Sequence, residues 1–180
     1  MAGYFEKQRF ELCALHALNN LFQKQEFTRQ ELDDVCRNLD PDSFLNAHKS
    51  WIPGFGNYDY NVIAVALKSR GYSLNWFDSR RDPSEICTGD DALLGLIANI
   101  SSNLKIGPVE IPFARRHWVA IRDLKGMETG YYLLDSKLPE PKFIGNKNDL
   151  VEFLREWMLD GDKQVMFVLK DDDDISQSSS

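Results

Sequence analysis

Cys13, His117 and Asp135 are residue types that together can carry acyl transfer through sulfur. Cys13 sits where a polar N-terminal stretch gives way to an apolar run, Gln8-Arg9-Phe10-Glu11-Leu12-Cys13-Ala14-Leu15-His16-Ala17-Leu18-Asn19-Asn20. A free thiol, with a pKa near ~8.5, is mostly protonated at neutral pH. Two neighbours correct that. The positive end of a helix stabilises a thiolate at its first residues, and an adjacent imidazole stores the proton. Cys13 has the first by position. His117, in Arg115-Arg116-His117-Trp118-Val119, offers the second from the start of a strand. Asp135, in Leu133-Leu134-Asp135-Ser136, lies beyond an expected hairpin loop. Strands joined by such a loop lie side by side. The Asp135 carboxylate can then accept from one ring nitrogen, fixing the tautomer and stabilising the imidazolium.

Attack on a carbonyl creates an oxyanion that needs donors already in place. Cys13 offers its own backbone N–H. Gln8, a little earlier in the chain, offers a side-chain NH₂ that carries no charge to pair with the thiolate. If these four residues meet, the chain cleaves or transfers acyl groups through a thiolate. His16 is the rival base, because it lies one helical turn from Cys13 on the same face. Its simpler role is that of a hydrogen-bonded core histidine. A Cys-x-x-His pair can also ligate metal, but no second ligand pair at zinc spacing exists, and no cofactor is expected. His48, Cys36 and Cys87 read as structural or solvated. Asn19 and Asn20, inside an apolar helix, need hydrogen-bond partners if buried. Trp118 reads as packing beside the histidine, and Trp51, Trp76 and Trp157 as core or arm residues.

These side chains need elements to hold them. Residues 14–22 are apolar on most faces, as in a buried helix. Thr28-Arg29-Gln30-Glu31 is a capping-box pattern opening a second helix through about Arg37. A weaker helical stretch is expected near Ser43–His48, and Gly54-Phe55-Gly56-Asn57 reads as a turn. Asp59 caps a third helix that runs to Arg70, with Gly71 as its stop. Asp90-Asp91 places negative charge before an expected helix over Ala92–Ile100. Strands are expected at Tyr72–Phe77, Val109–Phe113, His117–Leu124, Tyr131–Asp135 and Val165–Leu169, from their β-branched and aromatic content. An amphipathic helix runs from Asn148 or Asp149 to Leu159. Helices first, then a mostly antiparallel sheet with one late helix, make an α+β fold.

At 180 residues the chain suits one domain over residues 1–170. Residues 171–180, four aspartates followed by a serine-rich end, read as a charged, disordered tail whose last serines could accept phosphate. The net charge of −7 and the absence of a basic block argue against nucleic-acid binding. No apolar stretch approaches the ~18 residues of a membrane span, and nothing at the N-terminus resembles a signal peptide. Three widely spaced cysteines argue against a disulfide framework and for a reducing, cytosolic or nucleocytoplasmic setting. A monomer is the default.

The pattern Glu6-Lys7-Gln8…Leu12-Cys13-Ala14…His16…Leu18-Asn19-Asn20 resembles the catalytic helix of the Josephin deubiquitinases, which are papain-like cysteine proteases. Arg116-His117-Trp118 resembles their histidine segment and Leu134-Asp135-Ser136 their third-residue segment. Gly56-Asn57-Tyr58-Asp59 and Asp78…Arg80-Arg81-Asp82 are similar to the short, stand-alone members. The resemblance spans about residues 4–170. It implies hydrolysis of bonds at the C-terminus of ubiquitin, with Cys13 as nucleophile, His117 as base and acid, Asp135 as orienter and Gln8 as oxyanion donor. It also implies that the helical arm around residues 28–50 flanks the cleft and helps hold ubiquitin. Two other readings stay open: a ubiquitin-binding module of the same fold with little turnover, and a cysteine hydrolase with another substrate.

Overall fold

The computed structural model describes residues 3–8, 12–39, 58–85, 92–106, 109–125, 128–159 and 161–171, with the backbone alone for those between 102 and 115. Three helices come first: α1 (Cys13–Phe22), α2 (Arg29–Leu39) and α3 (Tyr60–Lys68). Strands β1 (Tyr72–Trp76), β2 (Leu93–Ile106), β3 (Val109–Leu124), β4 (Gly130–Leu134) and β5 (Lys142–Gly145) follow, then α4 (Lys147–Met158) and β6 (Gln164–Lys170). The six strands form one sheet in the order β1-β6-β2-β3-β4-β5, and every neighbouring pair is antiparallel. The fold is α+β, as the order of elements predicts.

Local chemistry explains the helix starts. Thr28 and Glu31 form the reciprocal capping box. The Thr28 amide donates to Glu31 Oε2 at 2.7 Å, and the Glu31 amide to Thr28 Oγ1 at 3.3 Å. Asp59 Oδ1 accepts from the amides of Asn61 at 3.0 Å and Val62 at 3.2 Å, closing the first turn of α3. Asn146 caps α4, with Asp149 completing a second box.

The sheet is covered on both faces, and β3 shows how. Trp118 and Ala120 pack with α1 and α3, whereas Val119 and Ile121 pack with Leu150 and Leu154 of α4. In β2, Ile97 faces the first group, and Leu96 and Ala98 face the second. Each fully buried aliphatic side chain contributes roughly 1.5–3 kcal/mol.

This two-sided burial corrects the helix expected over Ala92–Ile100. That segment is strand β2, paired with β3 through Leu96↔Ile121 and with β6 through Ile97↔Met166. A continuous apolar run is common to a doubly buried strand and a buried helix, and periodicity cannot separate them. Gly95 serves the close approach of α1, since a Cβ there would meet Ile121 O at 2.6 Å and Leu21 Cδ1 at 2.8 Å.

The strands expected at 109–113 and 117–124 are one continuous β3, and β5 was not expected. Trp76, expected in the core or arm, is instead 49% exposed and stacked on Tyr60 with ring centroids 5.0 Å apart. The helix near 43–48, the turn at 54–57, His48, Trp51, Cys87 and residues 172–180 lie outside the described residues. Asp171, the first residue of the acidic stretch, is ion-paired with Lys68 Nζ at 2.9 Å. Among the described residues no helix is long and apolar enough to cross a membrane.

Candidate active site

Cys13 is the first residue of α1 and is 4% exposed. Leu12, at the N-cap, makes no side-chain cap, and the first turn holds no acidic residue. No carboxylate of that first turn opposes the positive end of the helix. Cys13 shares its packed cluster with Leu12, Ala14 and Trp118, the residue after His117. The Trp118 indole N–H donates to Tyr58 O at 2.8 Å, tying the start of α3 to the histidine segment. At the far end of α1, the Arg122 guanidinium on β3 donates to the Leu21 carbonyl, which anchors the helix on the sheet.

His117 lies on β3 opposite Ile100 and is 2% exposed. Asp135 follows the last residue of β4, whose Leu134 pairs with Ala120. Continuing that register would set Asp135 beside Val119, so the carboxylate reaches His117 along the diagonal rather than directly across. His117 Nε2 and Asp135 Oδ1 are 2.7 Å apart. The tight turn after β4 aims the carboxylate. The Lys137 amide donates to Asp135 Oδ1 at 2.9 Å, and the Leu138 amide to Asp135 O at 2.9 Å. Burial opposes ionisation of Asp135, but the bonds from His117 and the Lys137 amide outweigh it and hold the carboxyl below its usual range. An anionic acceptor on Nε2 leaves Nδ1 as the ring atom that can exchange a proton with a thiol.

Gln8 reaches the same region from the N-terminal segment. Its amide donates to Ser136 O at 2.7 Å, one residue beyond Asp135. Two residues earlier, Glu6 fastens this segment to α1. The Glu6 amide donates to Asn20 Oδ1 at 2.6 Å, and Asn20 Nδ2 donates to Glu6 O at 3.1 Å. The Glu6 carboxylate meets His16 Nδ1 at 2.6 Å, accepts from Asn19 Nδ2 at 3.1 Å and accepts from the Tyr4 hydroxyl. Asn19 also closes the loop after α1, exchanging bonds with the Phe27 main chain at 2.8 and 3.1 Å. His16 is thus a buried, hydrogen-bonded core histidine, and both asparagines find the partners their burial demands.

Neither Glu6 nor Tyr4 stands out in the sequence as a functional residue. The available signal was the demand side: one histidine and two asparagines on a buried helix, with an acidic residue just upstream. Burial raises the Glu6 carboxyl, yet the bonds from His16, Tyr4 and Asn19 prevail and keep it below the ordinary glutamate range. A carboxyl depressed in the fold contributes stability that is present above its unfolded pKa, near ~4.3, and lost as pH falls through the lower folded value. Urea unfolding midpoints should therefore separate wild type from Glu6→Gln at pH 7 and converge as the pH falls below about 4. A gap that stays constant across that range would show that the charge of Glu6 contributes nothing.

A cavity of about 630 Å³ opens on the flank of α1, between the N-terminal segment and the start of α2. Its lining includes Glu6, His16, Asn19 and Phe27, but not Cys13, His117 or Asp135. Cys13 and Cys36 are both buried, and neither is in a disulfide.

The Josephin family's sequence model matches residues 8–170. The chain is similar to a Josephin-like protein of Drosophila melanogaster, 45% identical over 178 residues that cover 98% of this chain and 77% of the fly protein. It is also similar to human Josephin-2, 43% identical over 92% of this chain and 85% of that protein. Human ataxin-3 is 27% identical over 94% of this chain, but the match covers only 45% of ataxin-3.

Proposed function

The chain belongs to the Josephin family, and from that premise we propose that it is a thiol-dependent deubiquitinase that hydrolyses amide bonds at the C-terminus of ubiquitin. The observation that carries this reading is the 2.7 Å contact between His117 Nε2 and Asp135 Oδ1. It gives a buried imidazole an anionic partner on one nitrogen and leaves the other for sulfur. Cys13, at the start of α1, is the nucleophile. Its proton moves to His117 Nδ1, and the thiolate–imidazolium pair is the resting form.

The thiolate adds to the carbonyl carbon of the terminal ubiquitin residue, and the C–O π pair moves onto oxygen. The Cys13 backbone N–H and the Gln8 NH₂ receive that oxyanion. Collapse expels the amine, which takes its proton from His117, and leaves a thioester on Cys13. Water then attacks the thioester while His117 takes its proton, the C–S bond breaks with its electron pair going to sulfur, and the ubiquitin carboxylic acid leaves and ionises to solvent, restoring the thiolate–imidazolium pair. Asp135 stays ionised throughout and stabilises the imidazolium.

An electrophilic probe built on the ubiquitin C-terminus tests the reading. The expected result is one covalent adduct mapped by mass spectrometry to Cys13. Binding of ubiquitin with no adduct would mark a recognition module instead. Neither binding nor adduct, with activity on another amide, would mean a different substrate.

Asp135→Asn probes the third residue. An amide oxygen still accepts the ring N–H but stabilises the imidazolium less than a carboxylate does. The alkaline limb of the kcat/KM profile should therefore move to lower pH. The loss in kcat should stay below the roughly 10²-fold that losing acid–base catalysis outright would cost. An unchanged pH profile would remove Asp135 from this role.

A further inference from the structure

Strands β2 and β3 are longer than the sheet that holds them. β6 last pairs with β2 at Asn99↔Gln164, and β4 last pairs with β3 at Ala120↔Leu134. Beyond those rungs, among the described residues, the two strands pair only with each other, from Ile100↔His117 out to Ile106↔Val109. His117 therefore stands at the root of a two-stranded ribbon. Such a ribbon is marginal by itself in water. Catalytic groups, by contrast, must be held within about 0.5 Å of their productive positions. The root needs a fixed point.

Asp162, between α4 and β6, supplies one. Its Oδ2 accepts from the Ser101 N–H at 3.1 Å, and its Oδ1 from the Ser101 hydroxyl at 2.8 Å. That amide follows the last β6 rung on β2, so a carboxylate takes the place of the next one. Arg116, the cross-strand partner of Ser101, donates from Nη1 to Asp162 O at 2.9 Å and to Asp162 Oδ1 at 3.3 Å. One residue thus grips both members of the pair next to Ile100↔His117. The Arg116 and Asp162 side chains are 36% and 43% exposed. An ion pair that open contributes little to global stability, so its effect falls on position.

We propose, resting on the reading of His117 as the base, that Asp162 is a positioning residue: it clamps the root of the ribbon and so holds the imidazole on the Asp135 carboxylate. Arg116 is the covalent neighbour of His117, so a shift of one is a shift of the other. Asp135 is aimed separately, by the turn after β4 and the Lys137 amide. A ribbon loosened at its root would therefore move the base relative to its orienter and stretch their 2.7 Å contact. A misplacement of about 1 Å at a reacting group can cost on the order of 10²-fold in rate.

Asp162→Ala in the intact chain, assayed on ubiquitin with a C-terminal fluorogenic amide, should lower kcat about ten-fold with KM within about two-fold. Asp162→Asn should keep most of kcat, because an amide oxygen still accepts from Ser101 and the main-chain carbonyl still accepts from Arg116. Melting temperatures of both should stay close to that of wild type. Arg116→Met removes only the guanidinium and should lower kcat by a smaller factor; it takes over the test if Asp162→Ala fails to fold. The second readout is the ring proton between His117 and Asp135, seen far downfield in the proton NMR spectrum of the free enzyme. It should broaden in Asp162→Ala and stay sharp in Asp162→Asn.

An unchanged kcat in Asp162→Ala would overturn the proposal. So would a lowered kcat beside an unaltered ring proton, since the effect would then bypass His117. An equal loss in Asp162→Asn would also overturn it, by assigning the effect to charge rather than to the clamp. A wild-type protein that hydrolyses no ubiquitin amide would end the proposed function instead, and the ring proton would still decide whether Asp162 holds His117.

Discussion

Changing Cys13 to alanine is expected to stop turnover while leaving ubiquitin bound. Removing a catalytic nucleophile costs on the order of 10⁶ in kcat, so hydrolysis of a ubiquitin C-terminal amide should fall below detection, and covalent capture by an electrophilic ubiquitin probe should vanish. The substitution deletes one sulfur from a packed helix start whose neighbours are Leu12, Ala14 and Trp118. The fold and the ubiquitin Kd, measured by calorimetry, should therefore change little. Residual hydrolysis within about 10²-fold of wild type would mean that another group attacks the carbonyl. Loss of binding along with turnover would mean that Cys13 supports the fold rather than the reaction. The contrast between lost chemistry and kept affinity separates an enzyme from a recognition module.

Gln8→Ala should show the next largest effect, and it should fall on a different quantity. An oxyanion donor acts on charge that exists only in the transition state, so its removal lowers kcat and spares ground-state binding. The expected loss is roughly 10²–10³ in kcat, or about 3–4 kcal/mol, with KM for the fluorogenic substrate nearly unchanged. The main-chain bond from Gln8 N–H to Ser136 O does not depend on the side chain, so the segment should keep its place. A collapse of affinity with kcat preserved would reassign Gln8 to holding substrate.

Signals carried by neighbouring residues were legible in the sequence. Asp59 as the cap of α3 and the Thr28–Glu31 box are read within four positions, and both hold in the fold. The residues expected to do chemistry were legible for another reason. A cysteine at a helix start, a later histidine and a later carboxylate form a short inventory, and the resemblance to the Josephin pattern selects among its uses. What was not legible depends on distant partners. Leu96-Ile97-Ala98 became strand because Ile121, Ala120 and Val119 pair with them on one side, and β6 on the other. The acidic pair before them only mimicked a helix start. β5 is a four-residue edge strand near Pro139 and Pro141, too short for its own periodicity to show. Glu6 gave no sign of its role because its partners, His16, Asn19 and Asn20, lie more than two helical turns away, on a helix it does not belong to.

The strand order also governs how the molecule comes into being. β1 has a single neighbour, β6, which also separates it from β2. While the chain is being synthesised, Tyr72–Trp76 leaves the ribosome with an unpaired edge and waits for Gln164–Lys170 before any rung can form. Until then the nascent polypeptide exposes a lone strand, β1, and the open edge of β2 to whatever it meets, including other copies of itself. Closure by β6 joins β1 to β2 and so couples the first and the later parts of the sheet into one late event.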